Sequence, residues 1–324
     1  MLLTIVVPCY QEEHNVGPTW QAIRAAVSSL EVEVEVVFVD DGSTDATLLR
    51  LRALAECEPQ VRYLSFSRNF GKESAMLAGL AHAHGDAIVI MDGDLQHPPE
   101  LIEQLLAQHA QGYDQVVARR TRSGDRRSRT LTARAYYAVV NRLVDVRLDD
   151  GMGDFRLLSR TAAEALLAMQ EYNRFSKGLF AWIGYPTAVV EYDNVVRAQG
   201  RTTWSFKRLL DYGIDGIVSF NNKPLRLAVY LGLITTLLSA AYVAWIIGGA
   251  VLYGVESPGY VTLITAVLGL GGLQLLFLGI VGEYIGRIYF ETKRRPHYLV
   301  KESSGLPDRE VVARAMSPPT TVAG

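Results

Sequence analysis

The chain has 324 residues, 49% of them hydrophobic, with 32 basic against 34 acidic side chains and a formal charge of −2. That length suits one large domain plus an appendage, and the near-neutral balance excludes the basic surface that nucleic-acid binding requires. The two cysteines, Cys9 and Cys57, read as buried small apolar residues in a reducing compartment rather than as a disulfide.

The N-terminus opens directly into an apolar strand, Leu3 to Tyr10, without a basic leader region, so no signal peptide is expected. The strand runs into Pro8-Cys9-Tyr10-Gln11-Glu12, and a helix follows from about Val16 to Leu30. A second strand, Val34 to Val39, ends in Asp40-Asp41-Gly42-Ser43-Thr44-Asp45, where Ser43 or Thr44 caps the next helix and Asp45 suits its first turn. Val61 to Ser67 is a third strand, followed by Arg68-Asn69-Phe70-Gly71-Lys72-Glu73 and a helix to about His84. The fourth, Ile88 to Met91, has the unbroken apolar run of a buried parallel strand. It stops abruptly at Asp92-Gly93-Asp94-Leu95-Gln96-His97-Pro98-Pro99, and a helix runs from Glu100 to Gln111. Asp114 to Ala118 is a fifth strand. The alternation predicts an α/β fold with a doubly wound, mostly parallel sheet.

Ligands of such sheets gather beyond the carboxyl ends of the strands. Asp92 and Asp94 sit there, two apart, and can face one cation. A hard ion such as Mg²⁺ takes one or two carboxylates plus substrate phosphate oxygens. A lone Asp-x-Asp is equally a capped turn with solvated acids. Here, however, three successive strands end in polar clusters on one edge, which suits a nucleotide. Tyr10 can stack on a base or ribose, and Asp41 can accept hydrogen bonds from a uracil imide or a ribose hydroxyl.

Farther along, Arg119 to Arg134 is the most basic stretch, read mainly as a solvated loop. Asp149-Asp150-Gly151-Met152-Gly153-Asp154-Phe155-Arg156-Leu157 sets an acid among glycines before an apolar strand, which implies a close backbone approach. Tyr172 to Gly184 reads as a helix and Thr187 to Asp193 as a late strand. Trp204 to Phe220 is amphipathic, suited either to a membrane surface or to packing on the first domain. Leu227 to Leu252 and Ser257 to Gly282 carry no charge, and each exceeds the roughly 20 residues that span a bilayer. Lys207, Arg208, Lys223 and Arg226 precede them, Arg287, Lys293, Arg294 and Arg295 follow, and the Tyr253–Glu256 loop between has no basic residue. This bias places both termini in the cytoplasm. Lys301 to Gly324 is polar, with late prolines, and reads as a disordered tail.

The Asp92–Pro99 string resembles the metal-binding motif of the family 2 glycosyltransferases of GT-A fold, in the polyprenyl-phosphate branch that includes bactoprenol glucosyltransferases and dolichyl-phosphate mannose synthases. The likeness extends to about Tyr298. Gly153 to Leu157 resembles the family's Gly-Asp-Phe-Arg-Leu element, and Glu283 to Pro296 resembles its exit sequence after a second span. Gln11 stands where the family pattern has asparagine, and Thr203, after Arg197, Gly200 and Thr202, stands where it has lysine.

The resemblance implies a catalytic domain over 1–203, an interfacial helix over 204–222, two transmembrane helices within 223–290 (about 227–252 and 258–282) and a cytoplasmic tail over 291–324. It implies that Pro8, Tyr10, Glu12 and Asp41 hold the nucleoside, and that Asp92 and Asp94, with Gln96 nearby, hold the diphosphate through Mg²⁺ or Mn²⁺. Asp154 matches the proposed catalytic base. Arg120, Arg156, Arg197 and Arg201 are the candidates for lipid-phosphate contact. The implied reaction is inverting transfer of a hexose, glucose from UDP-glucose by preference, to a polyprenyl phosphate at the cytoplasmic face of a bacterial inner membrane. The enzyme would be a homotetramer. The sugar itself is not encoded in any motif, so mannose, galactose and N-acetylhexosamines stay open, as does a non-catalytic membrane scaffold. A processive synthase is disfavoured, because Trp204 lacks the arginine that precedes the tryptophan in Gln-x-x-Arg-Trp.

Overall fold

The structure, a computed structural model, describes residues 1–94, 97–121, 152–169, 171–192 and 259–304, together with part of 230–252. Gln96, the arginines from Arg122 to Arg134, Arg197, Arg201, the Trp204–Phe220 segment and the chain beyond Ser304 lie outside the described residues.

Strands β1 (Leu2–Cys9), β2 (Glu33–Asp40), β3 (Val61–Phe66) and β4 (Ala87–Ile90) alternate with helices α1 (Val16–Val27), α2 (Thr47–Cys57) and α3 (Lys72–His82). After them come α4 (Leu101–His109), β5 (Gln115–Arg120), β6 (Met152–Ser159), α5 (Arg160–Ala168), α6 (Ser176–Trp182), β7 (Thr187–Tyr192), α7 (Tyr260–Lys293) and β8 (Val300–Ser303). The strands form one sheet in the order β7-β5-β6-β4-β1-β2-β3-β8.

The apolar runs form strands rather than helices because both faces of the sheet are covered. Leu3, Ile5 and Val7 pack with Trp20, Ile23, Leu51 and Ile102 of α1, α2 and α4. The intervening Val6, with Ile88 and Ile90, packs with Met76, Leu80, Leu166 and Phe180 of α3, α5 and α6. Adjacent residues of a strand thus serve opposite cores, as the two-residue period requires. On α3, Gly79 is needed for this packing: a Cβ there would lie 2.1 Å from Cγ1 of Val6.

The expected GT-A architecture is present, with a mixed sheet. From β1 the chain moves outward through β2 and β3, then returns to place β4 on the other side of β1. That reversal is the switch point at which open sheets bind ligands. β6 lies antiparallel between β4 and β5, so its N-terminal end meets the C-terminal end of β4. Ile90 pairs with Arg156, and continuing that register by two residues puts Asp154 opposite Asp92.

Three readings are corrected. Helix α7 does not stop near Gly282 but continues to Lys293, where Arg287 and Glu283 form an i,i+4 pair. It ends at Arg294, whose φ is 46°. The chain then returns to the sheet instead of fraying at Lys301. Tyr298 is buried and stacks on Phe66 at 5.0 Å, and β8 pairs antiparallel with β3. This covers an edge that would otherwise stay open. Finally, Cys9 is buried as expected, but Cys57, at the end of α2, is exposed; both are free thiols.

Within α7, Gly269–Lys293 is long and apolar enough to cross a membrane, and its apolar stretch is not buried against the rest of the chain. Every described residue between 230 and 252 is helical, and a Cβ added at Gly232 would lie 3.9 Å from Cε2 of Phe277 on α7. Close contact between helices at a glycine is common in lipid.

Candidate active site

The ends of β1 to β4 open on a cleft of about 280 Å³. β1 and its exit supply Pro8, Tyr10 and Glu12; β2 supplies Asp41; the β3–α3 loop supplies Asn69, Gly71 and Lys72; the end of β4 supplies Asp92, Gly93 and Asp94. The six expected donor-side residues are therefore brought together. Tyr10 is 47% exposed, which leaves its ring available to a flat ligand.

Asp41 has a second duty. Its carboxylate accepts the N–H of Phe70 at 2.7 Å and that of Gly71 at 2.9 Å, fixing the β3–α3 loop against β2. Burial pushes its carboxyl up, partly offset by these two bonds. The adjacent Asp40 is fully buried and accepts from Ser43 N and Ser65 Oγ. Gly42 completes the turn at φ +67°, where a Cβ would fall 2.3 Å from the carbonyl carbon of Arg68. Glu12 is bonded to Asn15, and its carboxyl is pushed up by burial first and then by Asp94, Asp45 and Asp92.

Lys72, to which the sequence reading gave no role, is the centre of the arrangement. Its Nζ lies 2.6 Å from Asp92 Oδ1 and 2.6 Å from Asp154 Oδ2. Burial alone would lower its pKa, but the two carboxylates outweigh that and hold it above the ordinary lysine range. Burial likewise would raise Asp154; Lys72 first, then Lys177 and Arg156, hold it below the usual carboxylate range. The signal in the sequence was the position of Lys72 in the polar run after β3, on the same edge as the acids. His97 was also passed over. It stacks on Phe155 at 5.1 Å and lies within 3.4 Å of the Asp92 N–H.

The expected arginines fare differently. Arg156 is corrected: it is buried under the site, its guanidinium 3.5 Å over the ring of Phe180 and bonded to Gly153 O. Burial lowers its pKa to about 10. A guanidinium so placed braces the start of β6 at Gly153. Arg120 closes β5 opposite Tyr192, and Arg197 and Arg201 lie outside the described residues.

The donor chemistry fits a divalent cation. Four carboxylates, Glu12, Asp41, Asp92 and Asp94, line the cleft against one ammonium among the described residues. An anionic diphosphate entering alone would be repelled. No group of three His, Cys, Asp or Glu ligands converges among the described residues. Asp92 and Asp94, two carboxylates at the end of β4 on the cleft, could supply two ligands to a hard ion whose remaining positions phosphate and water would fill.

Comparison with known proteins places the chain in a family. The Glycosyl transferase family 2 model matches residues 4–167, and that of the GtrB C-terminal hairpin matches 223–288. The protein CsbB of Bacillus subtilis is 49% identical over 96% of this chain and 94% of its own. The prophage bactoprenol glucosyl transferase homolog of Escherichia coli is 41% identical over 93% of this chain and 99% of its own. The bactoprenol glucosyl transferase of Shigella phage SfII is 41% identical over 94% and 98%. Among solved structures, glucosyl-3-phosphoglycerate synthase of Mycobacterium tuberculosis is a looser likeness, 22% identical, with TM-score 0.45 over 67% of this chain and 77% of its own. The chain belongs to glycosyl transferase family 2 and is a glycosyltransferase with a GtrB-type C-terminal hairpin.

Proposed function

We propose that the enzyme transfers glucose from UDP-glucose to a polyprenyl phosphate, with inversion, at the cytoplasmic face of a bacterial inner membrane. The observation that carries this is the meeting of Asp92 and Asp154 on one ammonium in a cleft whose domain is joined to an apolar helix long enough to span a bilayer. A prenyl chain does not leave the membrane cheaply, so a catalytic domain that uses one must work at the bilayer surface. The relatives named as bactoprenol glucosyl transferases support the same acceptor and sugar, the hairpin match over 223–288 supports two spans that return to one side, and the flanking basic residues support that side being cytoplasmic.

In this reading Pro8, Tyr10, Glu12 and Asp41 hold the nucleoside, Asp41 also fixing the β3–α3 loop. Asp92 and Asp94 would hold Mg²⁺ or Mn²⁺, with Gln96 a further candidate. Such an ion, when bound, neutralises charge on the departing diphosphate. Asp154 faces the acceptor side, with Arg120, Arg197 and Arg201 as candidate phosphate contacts. Asp154 is held ionised below the usual range, whereas a phosphate monoester has its second ionisation near about 6. The acceptor therefore arrives largely ionised as the nucleophile, and Asp154 serves to fix Lys72 and orient the incoming group rather than as a strong base.

The test is the product. Purified enzyme given UDP-glucose, Mg²⁺ and undecaprenyl phosphate should release UDP only when the lipid is present, and should form a β-linked glucosyl phosphate, as inversion of the α-configured donor demands. An α-linked product, or UDP release indifferent to the lipid, would sink the proposal.

A further inference from the structure

The cleft carries its own cation. Among its described lining residues one ammonium faces four carboxylates, and that ammonium is shared by an acid of the metal pair and the acid across from it. Lys72 opens α3 directly after Gly71, whose φ is +97°. Both backbone N–H groups before it, Phe70 and Gly71, are clamped by Asp41. The next side chain, Glu73, is held by Ser176. The lysine stem therefore leaves a fixed backbone, while its four-carbon chain can swing. Asp92 Oδ1, which Lys72 contacts at 2.6 Å, is also an oxygen that a divalent ion would take.

We infer that Lys72 is a built-in placeholder cation that occupies Asp92 until the divalent ion and the nucleotide diphosphate arrive together, and that the diphosphate is the partner to which it then moves. This rests on the metal and nucleotide-sugar reading above. It follows from charge. An ion arriving alone must displace Lys72 from Asp92 and sit beside it, cation against cation. An ion arriving with a diphosphate brings the anion that takes Lys72 over. Metal and nucleotide should thus bind cooperatively because of this one side chain, which acts as a positioning residue. Asp154 keeps the ammonium within reach throughout, at 2.6 Å from its other side.

The test is Mn²⁺ binding to the full-length protein in detergent, read from the paramagnetic resonance of the free ion, with and without UDP and without any turnover. For the wild type, UDP should raise Mn²⁺ affinity about tenfold or more, the weight of one charged hydrogen bond. In Lys72→Met, Mn²⁺ alone should bind about tenfold more tightly than to the wild type, and the gain from UDP should shrink. Lys72→Arg, which keeps the charge, should behave like the wild type. Unchanged or weaker Mn²⁺ binding in Lys72→Met, with UDP-dependent uptake intact in the wild type, overturns the placeholder alone. No uptake by either protein with UDP present overturns the metal reading and the inference together. Should Lys72→Met not fold, the wild type suffices: a structure with Mn²⁺ and UDP should show Lys72 Nζ withdrawn from Asp92 and turned to the diphosphate, and a retained 2.6 Å contact beside a bound ion contradicts the inference.

Discussion

At the scale of single residues, the site depends on a few side chains placed by backbone that the sequence only partly announces. Gln11 is the clearest case. It adopts φ 59° so that its N–H can reach Ser43 Oγ at 3.0 Å and its side chain Thr44 Oγ1 at 2.8 Å. This left-handed conformation suits asparagine and glycine and strains other residues, which explains why the family pattern has asparagine here. Gln11→Asn should therefore raise the thermal midpoint by about 1–3 °C, part of the roughly 1 kcal/mol of strain being relieved. A lower midpoint in differential scanning fluorimetry would show that the Thr44 bond outweighs the backbone. Asp92, Asp94 and Asp154 could be picked from their motifs. The lysine that joins Asp92 to Asp154 could not, because a residue at the junction of a polar loop and a helix has no period or spacing that reveals its partners.

At the scale of elements, the alternating strands and helices were legible because a fully buried strand such as Ala87–Ile90 leaves a run of four apolar residues, and each strand end is marked by abrupt polarity. Two elements were not legible in the same way. The antiparallel sense of β6 follows from its pairing with β4 and β5, a long-range property. The short strand β8 has the polar composition of a tail, VKES, and is held by its neighbours: Tyr298 on Phe66, Glu302 on Arg52, and Ser304 on Tyr63. Burial and exposure divide the energy unequally among these contacts. Tyr298→Ala removes a buried stacked ring and should cost about 3 kcal/mol, seen as a lower unfolding midpoint of the full-length protein. Glu302→Ala removes a half-buried carboxylate held twice by Arg52 and once by Tyr63, and should cost less, about 1 kcal/mol. The reverse ranking would mean that the strand is held by charge rather than by its aromatic anchor.

At the scale of the whole molecule, β8 and α7 connect the proposed membrane anchor to the catalytic sheet twice. The C-terminal turn of α7 meets the segment before α6, where Glu291 accepts the N–H of Tyr172 at 2.7 Å and Phe290 stacks on its ring at 5.4 Å. A few residues later the chain adds its strand to β3. The sheet is thereby joined to the helix through packed contacts as well as through the covalent chain, which suits an enzyme whose two substrates approach from water and from lipid. Charge, hydropathy and the acidic pair suggested that division of labour from the sequence. The sugar left no comparable mark, because hexoses differ only in the orientation of single hydroxyls.

The most direct measurement follows labelled glucose from UDP-glucose into solvent-extractable lipid, using purified protein, Mg²⁺ and undecaprenyl phosphate. Label should enter the lipid with the wild type and fall by at least about a hundredfold in Asp94→Asn, where a ligand of the proposed ion is lost. Equal transfer by Asp94→Asn, or no transfer from UDP-glucose by the wild type, would contradict the account.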